Sequence, residues 1–185
     1  MNEILKEVMK HMPKDADISS FGFEAANIIL YTKNKEFFLN PNGAIKDIVD
    51  KVKKRIELRP DSSLLMKEED AEKEIRKLVP EEAGLSNIIF DEPRSKVILE
   101  AEKPGVAIGK AGEVLVEIKK KTLWVPLVRR NPPIRSQIIE KIRKVLYENA
   151  DYRRKFLNGI GERIYGGWTN EKRDEWIRVT ILGAG

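Results

Sequence analysis

GVAIGKAGEVLVEIKKKT, running from Gly105 to Thr122, is the stretch on which the reading of the fold turns. At its centre Gly109, Lys110, Ala111 and Gly112 form a four-residue loop. Two glycines separated by only two residues let the backbone turn sharply and leave no Cβ to hold a phosphate away from exposed N–H groups. Val106 and Ile108 lead into the loop, and Val114, Leu115 and Ile118 follow at i, i+1 and i+4. That spacing predicts a loop between two short helices rather than a hairpin. The positive end of the second helix then faces whatever the loop holds, and Lys110 adds a mobile cation.

Two other readings compete with a phosphate-gripping turn. A nucleotide-binding P-loop needs GxxxxGK followed by Ser or Thr, but the run from Gly105 to Lys110 is one residue short and Ala111 stands where the magnesium-binding hydroxyl belongs. The simpler alternative is that the glycines merely end one helix and open the next, which is what most isolated GxxG sequences do. The rest of the chain has to decide between them.

Charge along the 185 residues is segregated although the net value is only +5. From Arg94 to Lys155 there are 16 Lys or Arg against 7 Asp or Glu, and from Asp61 to Glu92 there are 4 against 10. The basic half is the half that holds the glycine loop, and such a surface attracts a polyanion. A hydrophobic content of 41% fits a folded chain. With no cysteine and His11 the only histidine, one chain can assemble neither a Cys/His zinc site, nor a thiol nucleophile, nor a Ser-His-Asp triad. Carboxylates alternate with lysines in helical segments, the pattern of solvated faces. No run approaches the roughly 20 apolar residues of a membrane span, and the amino terminus lacks a signal-peptide core, so a cytoplasmic location without membrane contact is expected.

Hydrophobic periodicity finds one order of elements twice. Asn2 to Met12 reads as a helix ended by Pro13; Phe21 and Phe23, then Ile28 to Tyr31, read as strands. Phe37 to Leu39 precede the breaker cluster Asn40, Pro41, Asn42, Gly43; Ile45, Ile48, Val49, Val52 and Ile56 mark a helix, and Ile56 to Arg59 a short strand. In the second half Ala71, Ile75, Leu78 and Val79 mark a helix, Ile88 to Phe90 and Val97 to Ala101 two strands, Val106 a short helix, Glu113 the start of another, and Trp124 to Arg130 a last strand. A shift of 69 residues sets Ile28 on Val97 and Asn40 to Gly43 on Gly109 to Gly112; two further residues of slip set Arg59 on Arg130. Units of about 70 residues are near the lower limit for independent folding, so the two are expected to pack together. Pro126 demotes the last strand to a sheet edge or a bulge.

The order α-β-β-α-α-β with GxxG between its adjacent helices resembles the type II KH fold, whose loop grips single-stranded RNA or DNA. The expected fold is α+β: a degenerate KH-like domain over 1–66, a KH domain with the GKAG loop over 67–147, and over 148–185 a linker running into the first strand of a metallo-β-lactamase domain. The first loop, with one glycine, no cation and Pro41 deleting an N–H, should hold phosphate poorly. Ile134, Ile138, Ile139, Ile142, Val145 and Leu146 add an amphipathic helix beyond the second unit. Trp176 to Gly185 then reads as a strand starting where the sequence stops, the mark of a piece of a longer protein. The tandem units, GVAIGKAG, LVRRNPP from Leu127 to Pro133, and WIRVTILGAG are together similar to the amino-terminal region of the archaeal cleavage and polyadenylation specificity factor homologues. These are KH-bearing metallo-β-lactamase/β-CASP ribonucleases linked to transcription termination.

The resemblance implies a longer nuclease that uses two zinc ions, forms a homodimer through its carboxyl end and cuts RNA after U-rich stretches, while this chain, with no metal or cofactor of its own, binds RNA without cutting it. Carried over to these residues, Gly109, Lys110, Ala111 and Gly112 would clamp the sugar-phosphate backbone, and Val106, Ile108, Val114 and Leu115 would divide the core and the groove floor between them. Lys103, Arg129 and Arg130 are flanking candidates for phosphate or base-edge contacts, each equally readable as a solvated charge. Lys119, Lys120 and Lys121 read as a non-specific electrostatic face, because three consecutive positions cannot point into one groove. The rival function is a protein-interaction scaffold docking the nuclease to RNA polymerase or a ribosome, favoured by the first loop and the acidic stretch from Glu68 to Glu92.

Overall fold

The computed structural model describes residues 3–41, 43–132 and 136–166. The expected strand from Trp176 to Gly185 lies outside them. Two three-stranded sheets, each backed by helices, give a mixed α+β architecture. The first unit contains α1 (Glu3–Lys10), β1 (Ile18–Glu24), β2 (Asn27–Thr32), α2 (Lys35–Leu39), α3 (Ala44–Val52) and β3 (Ile56–Pro60). The second repeats that order with α4 (Glu68–Leu78), β4 (Leu85–Asp91), β5 (Lys96–Ala101), α5 (Pro104–Ile108), α6 (Glu113–Thr122) and β6 (Val125–Arg130). Two further helices, α7 (Gln137–Glu148) and α8 (Ala150–Tyr165), follow.

Both sheets have the central strand paired antiparallel on one side and parallel on the other, in the orders β1-β2-β3 and β4-β5-β6. A bulge falls at Ile18/Ser20 in one and at Leu85/Asn87 in the other. The β1–β2 hairpin is closed by Ala25 and Ala26 between the paired residues Glu24 and Asn27, whereas Glu92 to Ser95 separate Asp91 from Lys96. β6 is an edge strand, which accommodates Pro126.

Alternation sorts the strand residues. Val97, Leu99 and Ala101 join Ile75, Ala107, Ile118 and Trp124 in one core, and Ile28 and Leu30 join Leu5, Val8, Phe23, Ile48 and Val52 in the other. Trp124 anchors the second core by donating its Nε1–H to the Met66 carbonyl at 2.8 Å and meeting Phe90 edge-on. It precedes the strand rather than opening it, and Ile56 belongs to β3 rather than to α3, which ends at Val52.

The repeat is offset differently from the sequence expectation. Ile28 pairs with Ile56 and its counterpart Val97 with Pro126, so the last strands differ by one residue of slip, not two. Arg59, opposite Tyr31, is therefore the counterpart of Arg129, opposite Glu100, and not of Arg130. The inserted residue lies in the helix: α6 has ten residues and α3 nine, each ending on a left-handed residue, Leu123 and Lys53.

The units meet through buried charge. Glu24 accepts both prongs of Arg59 (2.6 and 2.8 Å) and both prongs of Arg94 (2.6 and 2.7 Å), while Arg59 also holds Glu57, and Lys96 reaches Glu57 at 3.1 Å. Arg94 turns to Asp91 as well, at 3.3 Å. Three carboxylates of the strands thus face three cations in a neutral cluster, apart from the helical carboxylates that the sequence places on solvated faces. The longer second hairpin loop makes the junction: it carries Arg94, Ser95, whose hydroxyl donates to the Pro60 carbonyl, and Pro93, whose carbonyl accepts from Tyr31. α8 seals the free edge of β1, where Asn158 accepts the Phe23 N–H and the Leu157 carbonyl accepts that of Ala25.

Candidate nucleic-acid interface

The sequence Gly109-Lys110-Ala111-Gly112 folds into a tight turn because three of its residues take positive φ: Gly109 at 77°, Ala111 at 54° and Gly112 at 81°. α5 ends at Ile108, with the Gly109 N–H still donating to the Gly105 carbonyl, and α6 starts at Glu113. Gly109 combines its φ with a ψ of 174°, a region that only glycine enters freely, and a Cβ there would stand 2.7 Å from Val114 Cγ2. Around Gly112 a Cβ would meet nothing within 4 Å. The tip is exposed: Lys110 and Ala111 project from the turn, and the ten-residue α6 directs its positive end to the same place.

One group already uses that field. Glu113 Oε1 accepts the Lys110 N–H at 3.3 Å, across an exposed gap. An incoming phosphate oxygen would compete for the same donor. The contact is long and solvated, which makes it weak and displaceable.

The other expected residues are distributed unevenly. Val106, Ile108, Val114 and Leu115 are half-buried, and Val106, Val114 and Leu115 pack on the second core. Lys103 opens α5 and is exposed, about 8 Å from the loop along a five-residue helix. Exposed Arg130 pairs with Ala101 near Lys103, so these two cations share the end of the sheet where β5 finishes. Arg129 alternates to the face opposite Val128, where its guanidinium donates to the hydroxyl of Tyr147 in α7 at 2.7 Å.

Lys119 departs from the non-specific electrostatic face that the sequence suggested for Lys119 to Lys121. Its ammonium lies 4.0 Å from the centre of the Phe38 ring and donates to the Phe38 carbonyl at 3.1 Å, joining α6 to the end of α2. Burial depresses its pKa below the usual lysine value. Lys120 and Lys121 remain outward, paired to Glu117 and Glu74. Sequence reasoning missed this contact because the partners are 81 residues apart.

In the first unit Gly43 keeps the left-handed conformation of Gly112, with φ 80°. Asn40 stands where Gly109 does, with φ −141° and ψ 83°, so the first turn lacks the sharp entry of the second. Among the described residues no group of three or more His, Cys, Asp or Glu could hold a metal. Nor is any described helix long and apolar enough to cross a membrane.

Comparison with known proteins bears on both units. The family model for the KH domain of transcription termination factor FttA matches residues 1–65, the unit with the Asn40 to Gly43 loop. Over 99% of its length the chain is 41% identical to transcription termination factor FttA of Methanothermobacter thermautotrophicus and to that of Pyrococcus abyssi, and 42% identical to that of Thermococcus kodakarensis. It spans 28% of the length of each of these relatives.

Proposed function

With residues 1–65 belonging to the KH-domain family of transcription termination factor FttA, and the whole chain related to that archaeal factor, we propose that this protein is a single-stranded RNA-binding module that works in transcription termination. The observation that carries the proposal is the exposed, side-chain-poor turn from Gly109 to Gly112 at the start of α6. Its backbone can approach a sugar-phosphate chain closely, Lys110 supplies a screening charge, and the half-buried Val106, Ile108 and Val114 offer an apolar floor for bases. Lys103 and Arg130 extend the same positive surface toward the end of β5. In this reading the second unit, a KH domain like the first, is the clamp. The first unit stiffens it through the Glu24 cluster and the Lys119–Phe38 contact.

The proposal extends to the longer polypeptide. There the module positions U-rich RNA for a zinc-dependent β-CASP ribonuclease, and the zinc belongs to that catalytic part. A second reading, a protein-docking scaffold for RNA polymerase or a ribosome, is favoured by one observation: the turn of the first unit, with Asn40 where Gly109 stands, lacks the sharp entry of the second.

Fluorescence anisotropy with short U-rich single-stranded RNA across a range of salt separates the two. A phosphate-led clamp gives a log–log salt slope of about −0.7 for each phosphate contacted. Absence of RNA binding at low salt would refute the clamp.

A further inference from the structure

Far along the sequence from the glycine turn, the first sheet keeps an open hollow where α8 lies along the edge of β1. Side chains alternate across β1 and β2, so Phe23, Ile28 and Leu30 enter the core while Gly22, Ile29 and Tyr31 line the other face. On that face a cleft of about 280 Å³ opens, bounded on its α8 side by Arg154 and Lys155. Two flat groups meet in it. The Tyr31 hydroxyl and Arg154 Nη1 both donate to the Pro93 carbonyl, each at 3.3 Å. One oxygen thus holds an aromatic ring of β2 and a guanidinium of α8 side by side. Arg59 Nη1 also reaches the Tyr31 hydroxyl, at 3.5 Å, and Asp151 approaches Arg154 only at 4.0 Å. Lys155, exposed at the next position of α8, has no hydrogen-bond or ion-pair partner among the described residues.

We propose that this cleft is a second contact for single-stranded RNA, separate from the Gly109 to Gly112 turn: one base stacks on Tyr31 and Arg154, and its phosphate meets Lys155. The inference takes its ligand from the RNA-binding reading and its place from the cleft. Bases of any sequence stack on aromatic rings and on guanidinium planes, and a platform fixed in advance loses little freedom when it binds. The shared Pro93 carbonyl provides that fixing. Tyr31 belongs to the first unit and Pro93 to the second, so the platform is complete only when the two units are docked. Charge sets the path of the RNA. A neighbouring hollow, also of about 280 Å³, shares Tyr31 and Arg154 but is lined by Asp61, Glu92 and Asp151. Those carboxylates repel phosphate, which leaves the backbone on the Lys155 side. Glu24, which also borders the cleft, does not oppose it, because Arg59 and Arg94 already neutralise that carboxylate.

Photocrosslinking locates the RNA. A short U-rich single-stranded RNA carrying 4-thiouridine is crosslinked to the 185-residue chain, and the adducts are mapped by peptide mass spectrometry. The expected result is two sets of adducts, one at the Gly109 to Gly112 turn and one at Tyr31 or between Arg154 and Asn158. The second set should persist in the Lys110→Asp, Ala111→Asp double variant. Lys155→Glu should melt with the wild type, keep the adducts at the turn and weaken binding about fivefold at low salt. Lys73→Glu, the same charge reversal on exposed α4, should weaken it less than about twofold. Adducts at the turn alone, with Lys155→Glu binding as the wild type does, would overturn this contact and leave the clamp standing. Adducts at the cleft alone would support this contact and overturn the clamp. No binding of the RNA by wild type at low salt would refute both. Labelling of the cleft by 4-thiouridine monophosphate but not by the RNA would assign it to a free nucleotide and overturn the proposal.

Discussion

Glu24 of the first unit and Arg94 of the second are joined by two hydrogen bonds, of 2.6 and 2.7 Å, through which a residue of the second hairpin loop closes over a carboxylate that Arg59 already holds. Glu24 pairs with Asn27 and Asp91 with Lys96, so the two acids that Arg94 touches occupy equivalent positions of the repeat. A neutral buried cluster of this kind is sensitive to losing one member, because the remaining charges lose their partner but stay out of water. Glu24→Gln should destabilise the protein by about 3 kcal/mol in urea unfolding. Glu72→Gln, which breaks the exposed pair with Arg76 on α4, should leave the unfolding midpoint in place.

Acid should act through the same cluster. Burial alone would raise the Glu24 carboxyl, but the hydrogen bonds from Arg94 and Arg59 and their charges outweigh it and hold its pKa well below the usual range. Glu57 is shifted down in the same way by Arg59 and Lys96 against its own burial. The unfolded chain, with ordinary carboxyl pKa values near about 4.3, therefore takes up protons first as pH falls. The melting temperature should be level from about pH 8 to pH 5.5 and fall steadily below about pH 4.5. Glu24→Gln should start lower and fall less steeply, and parallel curves for the two proteins would refute the assignment.

Glu113 competes with a phosphate for the Lys110 N–H. Glu113→Gln removes the charge and keeps the size of the side chain. The account predicts severalfold tighter binding of single-stranded RNA at low salt, with the gain shrinking as salt rises, measured by anisotropy titration. Weaker binding would mean that Glu113 helps the ligand rather than excluding it.

Gly109 and Gly112 differ in what confines them. Gly109→Ala meets both a glycine-only backbone region and Val114 Cγ2 at 2.7 Å, and should cost about 3 kcal/mol. Gly112→Ala has open space and only its left-handed φ against it, and should cost about 1 kcal/mol. Denaturant midpoints of the two variants test the order.

The element order is legible in the sequence because it rests on local periodicity: the apolar stripe of α3 and the continuous runs of β2 and β5 announce themselves within a few residues. The glycine turn is legible for the same reason, since Gly109 to Gly112 dictates its own backbone. What sequence cannot supply depends on distant partners. Glu24 is followed by two alanines and looks like any solvated acid, yet its cations come from 35 and 70 residues away. Lys119 reads as one of three surface lysines until α2 arrives beside it. The hydrophobic pattern sets Arg59 against Arg130 because a one-residue difference in helix length leaves no trace in it. The amphipathicity of α7 is plain in the sequence, but which side faces the protein is not, and the usual rule would choose the apolar one.

The measurement closest to the central claim is the affinity of wild type and of the Lys110→Asp, Ala111→Asp double variant for short U-rich single-stranded RNA at low and at physiological salt. Both positions are exposed, and aspartate tolerates the left-handed backbone of Ala111 and suits the start of α6, so the variant should melt with the wild type. The account predicts salt-sensitive binding by wild type and its loss, by at least tenfold, in a fully folded variant. Equal binding by the two proteins would contradict it and move the RNA, if it binds at all, away from the Gly109 to Gly112 turn.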